Sequence, residues 1–271
     1  MSESANSIRI TQTAATAAAL LGFEAPQGAD VPESIVLHAA ERVFHGKKAE
    51  RLLLYNPDAV ALWLYQKYTA QFEPVLLHTQ LDLPVRSVMP SVTPVCFASM
   101  YAGVTPDVHG IQAYVKPVLR VQTLFDAALA AGKRPAIVST AGDSISKIFL
   151  ERRMDYFIYD TPDECNAKAI ELMQQDEHDL ITVYNGNYDG TMHRFGPESP
   201  EALAALDHNA SAFAVLADAA AKAWAGRRYG IAFLPDHGCH EIDGGCGSHG
   251  LDMPEDMNII HFYGFHTPEK N

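Results

Sequence analysis

The sequence predicts an α/β protein with a mostly parallel central sheet sandwiched between helices. Two observations lead there. Short apolar runs alternate with stretches of helical spacing, the pattern of a sheet built from strand–helix units. In addition, Asp58, Asp189 and Asp236 each fall just past the carboxyl end of such a run. That is the edge at which open α/β sheets bind their ligands. The 271 residues are long enough for a sizeable core and are read as one domain, 1–271, with residues 1–48 as an N-terminal helical extension and no large cap domain.

The apolar stretch 14–23 resembles a signal-peptide core. The residues before it carry Glu3 and a single arginine, Arg9, a poor positive region, so it reads instead as a helix capped by Thr11 or Thr13. Residues 51–55 read as a buried strand that meets a turn at Asn56, Pro57 and Asp58. A helix is predicted over 121–131, stopped by Gly132, then strands over 134–140 and 156–159. A helix follows over 164–175, opened by Thr161 or Asp163, then a strand over 180–184 and an Ala-rich helix over 200–225. Strands over 229–234 and 258–263 close the pattern. The stretches 186–199 and 236–255 read as long irregular loops, which are usually functional or disordered.

A formal charge of −13 argues against binding nucleic acid or an anionic membrane, since both need a basic surface. An anionic substrate would need local cations to approach. The four cysteines are too few for a disulfide framework in so long a chain. No apolar run approaches the ~20 residues of a membrane span, so a cytoplasmic location is expected, with a homo-oligomer possible.

Candidate chemistry is concentrated near the carboxyl end. Asp236 and His237 leave a strand run, and adjacent side chains on a strand point to opposite faces. They converge on one ion only if the strand has ended and the chain turns, which Gly238 permits. His249 follows, and Asp189 and His193 lie upstream. These five oxygen and nitrogen ligands suit Zn²⁺ and suggest a two-metal hydrolytic site. A structural zinc knot of Cys239 and Cys246 with His237, His240 or His249 is the competing reading, disfavoured by its unusual cysteine spacing. Taken singly, each acid is more simply a turn residue or helix cap. A second feature is Thr93, followed by Pro94 at what reads as the first turn of a short helix over 95–101. Its hydroxyl would sit at a helix N-terminus, whose amides and dipole favour an alkoxide or a bound phosphate.

These segments resemble the alkaline phosphatase superfamily, most closely its type I phosphodiesterase/nucleotide pyrophosphatase branch. Residues 90–111 are similar, without a gap, to the branch's nucleophile segment, which ends in His-Gly-Ile, here His109, Gly110 and Ile111. Residues 188–197 resemble its Asp-x-x-x-His-x-x-Gly-Pro motif, 236–238 its Asp-His-Gly and 248–252 its Thr-His-Gly-Tyr-Asp. The resemblance implies an alkaline phosphatase-like fold, Thr93 as nucleophile, and two divalent ions, Zn²⁺ or else Mn²⁺. Asp189, His193 and His249 would hold one ion; Asp58, Asp236, His237 and the Thr93 oxygen would hold the other. All six side-chain ligands would be deprotonated, so activity should fall in acid.

The departures bear on the substrate. The family's Phe after the nucleophile is Pro94 here, and its phosphate-binding Asn is Tyr114, with Lys116 nearby. The Gly usual after the first acid is Ala59. Only the eleven residues 238–248 separate His237 from His249, where relatives carry a long capping insertion. Cys96 lacks a sulfatase context. The expectation is a hydrolase of small phosphate esters, a phosphodiesterase or pyrophosphatase, with a monoesterase or phosphonate hydrolase as the near alternative and a non-catalytic metal- or anion-binding protein as the alternative of another kind. Tyr114 and Lys116 are the expected substrate-binding residues.

Overall fold

The structure, a computed structural model, describes residues 7–268; Glu3 and the start of the 1–48 extension lie outside them. The strands in chain order are β1 (Arg51–Pro57), β2 (Leu81–Arg86), β3 (Pro135–Thr140), β4 (Asp155–Tyr159), β5 (Leu180–Asn185), β6 (Tyr229–Phe233), β7 (His240–Ile242), β8 (Cys246–Ser248) and β9 (Asn258–His266). The helices are α1 (Gln12–Leu21), α2 (Ser34–Phe44), α3 (Leu62–Lys67), α4 (Glu73–Leu76), α5 (Thr93–Ala102), α6 (Pro106–His109), α7 (Leu124–Ala130), α8 (Ser144–Ile148), α9 (Pro162–Gln175), α10 (Asn187–Phe195), α11 (Pro200–Ala223) and α12 (Pro254–Met257).

Seven strands form one sheet in the order β2-β9-β6-β1-β5-β3-β4. β9 is antiparallel to both of its neighbours, and the other strands run in one direction. The mostly parallel sheet expected from the sequence is therefore present, with the predicted strands in it. β2 is an addition. It carries Pro84 opposite Ile260 at the sheet edge, where a residue without a ladder donor is tolerated.

Alternation along each strand divides the core in two. In β1, Leu52 and Leu54 face a layer with α1, α2, α5, α7 and α8, whereas Leu53 and Tyr55 face a layer with α3, α9, α10 and α11. A run that is apolar throughout is what a sheet covered on both faces needs. The second layer holds an aromatic group, with Tyr55 and Phe213 each 5.6 Å from Phe233. α1 packs into the first layer, and Ala14 and Ala18 are fully buried. Thr11 does precede this helix but does not cap it with its side chain; its hydroxyl donates instead to Asp30 at 2.8 Å. α9 opens with a capping box, Thr161 and Glu164 bonding each other's backbone N–H groups, a device worth about 1 kcal/mol.

The two predicted irregular stretches both contain structure. Residues 187–195 form α10 because Tyr188 and Met192, four apart, are buried in the second layer. Residues 240–248 contain the β7–β8 hairpin. At the amino-terminal end of the sheet, Arg51 pairs with Asp176 at 2.7 Å and Lys133 with Asp179 at 3.3 Å. Arg227 and Arg228 join Glu50 there. No helix among the described residues is long and apolar enough to cross a membrane.

Candidate active site and metal centre

The three acids sit at the carboxyl ends of three adjacent strands, β6, β1 and β5. Parallel pairing sets Tyr55 beside Phe233 and Pro57 beside Asn185, so the strands end nearly level and the residues just beyond their ends meet. Asp58 succeeds β1, and its N–H donates to the Asn185 carbonyl at 3.0 Å. Ala59, next to it, is buried with φ 64°, a backbone region that favours glycine. Asp189 lies in the first turn of α10, with His193 one turn on and on the same face. Asp236 and His237 leave the end of β6, both fully buried. Gly238 is not in the left-handed region, contrary to the expected turn. A Cβ there would lie 1.9 Å from the Glu255 carbonyl oxygen, so glycine is required by close approach of two chain segments.

The side chains form two groups able to hold a metal, Asp189 with His193 and His249, and Asp58 with Asp236 and His237. Each imidazole fixes its Nδ1 on a backbone carbonyl at 2.9 Å, His193 on Gly247, His249 on Ser91 and His237 on Gly238. That leaves every Nε2 facing a carboxylate. His193 and His249 approach Asp189 Oδ1 at 3.3 and 3.4 Å. His237 approaches Asp58 Oδ1 at 3.2 Å and Asp236 Oδ2 at 3.4 Å. Those three oxygens are buried and have no hydrogen-bond donor. Buried acceptors left over in this way, ringed by oriented imidazoles, fit a divalent cation. The groups adjoin, since the His237 and His249 rings stack at 4.0 Å. Neither group includes a cysteine, and Cys239 instead lies 3.7 Å from the Tyr188 hydroxyl. The zinc-knot reading therefore fails.

The electrostatics also call for positive charge. Burial lowers the His237 imidazole, but the charges of Asp236 and Asp58 outweigh it and push it up to about 10. Burial and the Asp58 charge push Asp236 well above the usual carboxylate range. Burial raises Asp189 too, yet the nearby imidazoles of His193 and His249 bring it below its ordinary value.

Thr93 is the first residue of α5, after Val92, and is 3% exposed. Its Oγ1 donates to Asp58 Oδ2 at 3.3 Å and lies 3.3 Å from His237 Nε2. The N–H groups of Val95 and Cys96 both bond the Val92 carbonyl, and Pro94 has none. What reaches the hydroxyl is thus the helix dipole more than a cradle of amides.

Two residues unforeseen from the sequence complete the surroundings. Tyr184, buried at the end of β5, donates its hydroxyl to Asp58 Oδ2. A Cβ on Gly186 would stand 2.6 Å from that hydroxyl. Asp143 lies past the end of β3, accepts from the Thr140 hydroxyl, and is pushed up to about 7 by burial and then by Asp58. Its position past a strand end is the same signal that marked the other acids. Tyr114 is exposed, and the charges of Asp58, Asp189 and Asp236 act on its phenol after burial itself. Lys116 Nζ lies 5.1 Å from its ring centre and donates to the Gly142 carbonyl at 2.9 Å. Both expected substrate residues therefore stand beside Asp143 at the rim.

Known proteins resemble parts of this chain in sequence and in fold. The family model described as type I phosphodiesterase/nucleotide pyrophosphatase matches residues 137–259. No curated protein sequence matches the chain. Among solved structures, murine ectonucleotide pyrophosphatase/phosphodiesterase 5 superposes with TM-score 0.58 at 18% identity, over 72% of this chain and 58% of that one. An inactive form of it in complex with AMP gives 0.58 at 17%, over 72% and 59%. The human counterpart gives 0.62 at 14%, over 80% and 88%. Phosphonoacetate hydrolase from Sinorhizobium meliloti 1021, in complex with phosphonoformate, gives 0.52 at 19%, over 73% and 59%. The chain thus spans less than two thirds of the murine and the Sinorhizobium chains. The chain shares its fold with these phosphodiesterase structures. The matched segment, 137–259, is similar to the type I phosphodiesterase/nucleotide pyrophosphatase family over a little under half of the chain.

Proposed function

We propose that this protein hydrolyses phosphoric esters with Thr93 as nucleophile and two divalent metal ions. The observation that carries the reading is the convergence of two adjoining acid–histidine groups on the Thr93 hydroxyl, with three buried carboxylate oxygens left without donors. Asp189, His193 and His249 would hold one ion; Asp58, Asp236, His237 and Thr93 Oγ1 would hold the other. Mixed carboxylate and imidazole donors suit Zn²⁺ first and Mn²⁺ second. Bound there, the ions supply Lewis-acid charge that lowers the Thr93 pKa and offsets charge on the phosphoryl oxygens.

The remaining steps belong to the chain. The hydrogen bond from Thr93 to Asp58 Oδ2 orients the oxygen and takes up its proton as it attacks phosphorus. The Thr93–phosphorus bond forms while the bond to the leaving oxygen breaks; the leaving oxygen takes a proton from solvent, and Asp58 gives its proton back to solvent. Water then cleaves the phosphothreonine and restores the hydroxyl. The α5 dipole favours the negative charge that gathers at Thr93. Tyr184 holds Asp58 on the side away from His237.

Tyr114 and Lys116 are proposed to meet the substrate beyond the phosphoryl group. With Tyr114 replacing the family's Asn and no cap between His237 and His249, a phosphodiester or pyrophosphate fits an open site. Lys116 favours a second reading, a monoester or phosphonate, whose extra negative charge it would offset. The test compares p-nitrophenyl phosphate with bis-p-nitrophenyl phosphate under added Zn²⁺ or Mn²⁺, for wild type and Thr93→Ala. The expected result is faster diester turnover, reduced about a thousandfold or more in the variant, with folding and metal content kept. A faster monoester selects the second reading, full activity of Thr93→Ala overturns the nucleophile, and metal-loaded protein inert to both leaves a metal- or anion-binding role.

A further inference from the structure

Asp256, in α12, is fully buried and belongs to none of the motifs that mark the site. It makes three bonds to two separate segments. Its carbonyl accepts the Gly238 N–H at 2.7 Å. Its Oδ1 pairs with His240 Nδ1 at 2.7 Å, and its Oδ2 accepts the Leu251 N–H at 2.9 Å. Gly238 directly follows His237, and Leu251 lies two residues after His249. One residue therefore fastens the segment bearing Asp236 and His237 to the loop bearing His249.

The loop is tied at its other side as well. Ser91 Oγ donates to the Leu251 carbonyl at 3.3 Å, and the Ser91 carbonyl holds His249 Nδ1. The His249 loop is thus suspended between the segment that precedes Thr93 and Asp256. The stacked His237 and His249 rings are the contact that such a suspension would keep in register.

We infer that Asp256 is a positioning residue that couples the two metal-binding groups. An ion bound by Asp58, Asp236 and His237 fixes that segment, Asp256 transmits the fixation to the loop, and His249 is presented to the second ion. Coupling of this kind is reciprocal. The inference rests on the two-metal reading above.

Metal-free protein titrated with Co²⁺ alone, followed by visible absorption, gives the two stepwise affinities, with unfolding midpoints measured alongside. Asp256→Ala is expected to weaken the second ion about 10- to 100-fold. Asp256→Asn should recover most of this, because its Oδ1 can accept from Leu251 while its amide faces an unprotonated His240 Nδ1. His240→Ala leaves the Leu251 bond intact and is expected to lose affinity only severalfold; it decides the matter if Asp256→Ala does not fold. A lowered midpoint with unchanged stepwise affinities would mark Asp256 as an ordinary buried anchor and overturn the inference. Wild type that takes up fewer than two ions overturns the two-metal reading itself and the coupling with it. Two ions in wild type and unaltered variants sink the coupling alone.

Discussion

Ala59 and Gly238 show how closely the backbone is drawn in around the acids. Ala59 occupies the left-handed region at φ 64°, which costs a residue with a Cβ about 1–2 kcal/mol, and its N–H lies 3.4 Å from Asp236 Oδ1. Gly238 leaves no room for a methyl group beside Glu255. Gly238→Ala is therefore expected to force the 237–238 and 255–256 segments apart, costing about 1–3 kcal/mol, and to lower metal uptake. Thermal unfolding and elemental analysis check this; unchanged values in both would show that the approach relaxes at no cost. The sequence identified Gly238 but for the wrong reason, because a turn and a close approach of distant segments leave the same letter. Asp143 was not singled out, although it lies past a strand end like the other acids. Nor was Tyr184, since its place opposite Asp58 depends on the pairing of β1 with β5.

Helices declared themselves where their own ends carry the signal. α9 was legible because Thr161 and Glu164 form a reciprocal cap, and Thr161→Ala is expected to cost about 1 kcal/mol, read as a lower unfolding midpoint with turnover retained. α10 was missed because it has no side-chain cap bond and contains Gly190. Its stability comes from burying Tyr188 and Met192 against distant strands, which no local pattern displays. The placement of Asp189 and His193 four residues apart nonetheless put both on one face once the helix formed. The strands of the large sheet were plain from their apolar runs, apart from β2, whose Pro84 reads as a loop until β9 is seen to lie beside it; the short β7–β8 hairpin, which has no such run, was read as loop.

The whole molecule responds to pH through histidines held neutral as well as through the site. His261 is fully buried, its Nε2 2.9 Å from the Pro235 carbonyl, and burial pushes it down to about 4. Burial also takes His109 to about 4; its Nδ1 accepts the Ile111 N–H, a bond that protonation would break. A histidine lowered on folding binds fewer protons in the native state than in the unfolded chain between its two pKa values. Its stabilising effect is present above about 6.5 and lost as pH falls toward 4, about 3 kcal/mol for His261 alone. Denaturant unfolding at pH 7 and pH 4.5 should show this loss, and His261→Gln should shrink it; an equal loss in the variant would place the acid sensitivity elsewhere.

The arrangement of charge along the sheet has a wider consequence. At one end of β1, Arg51 is locked into ion pairs with Asp176 and Asp179; at the other, Asp58 and Asp236 keep buried oxygens without a hydrogen-bond donor. A strand seven residues long thus separates a self-satisfied floor from a needy ceiling by roughly 20 Å. Substitutions on the floor can drift so long as charges stay matched, and the chemistry above does not register them. Substitutions in the loops above can explore new substrates without loosening the floor. Durability and inventiveness are in this way assigned to opposite ends of the same strands.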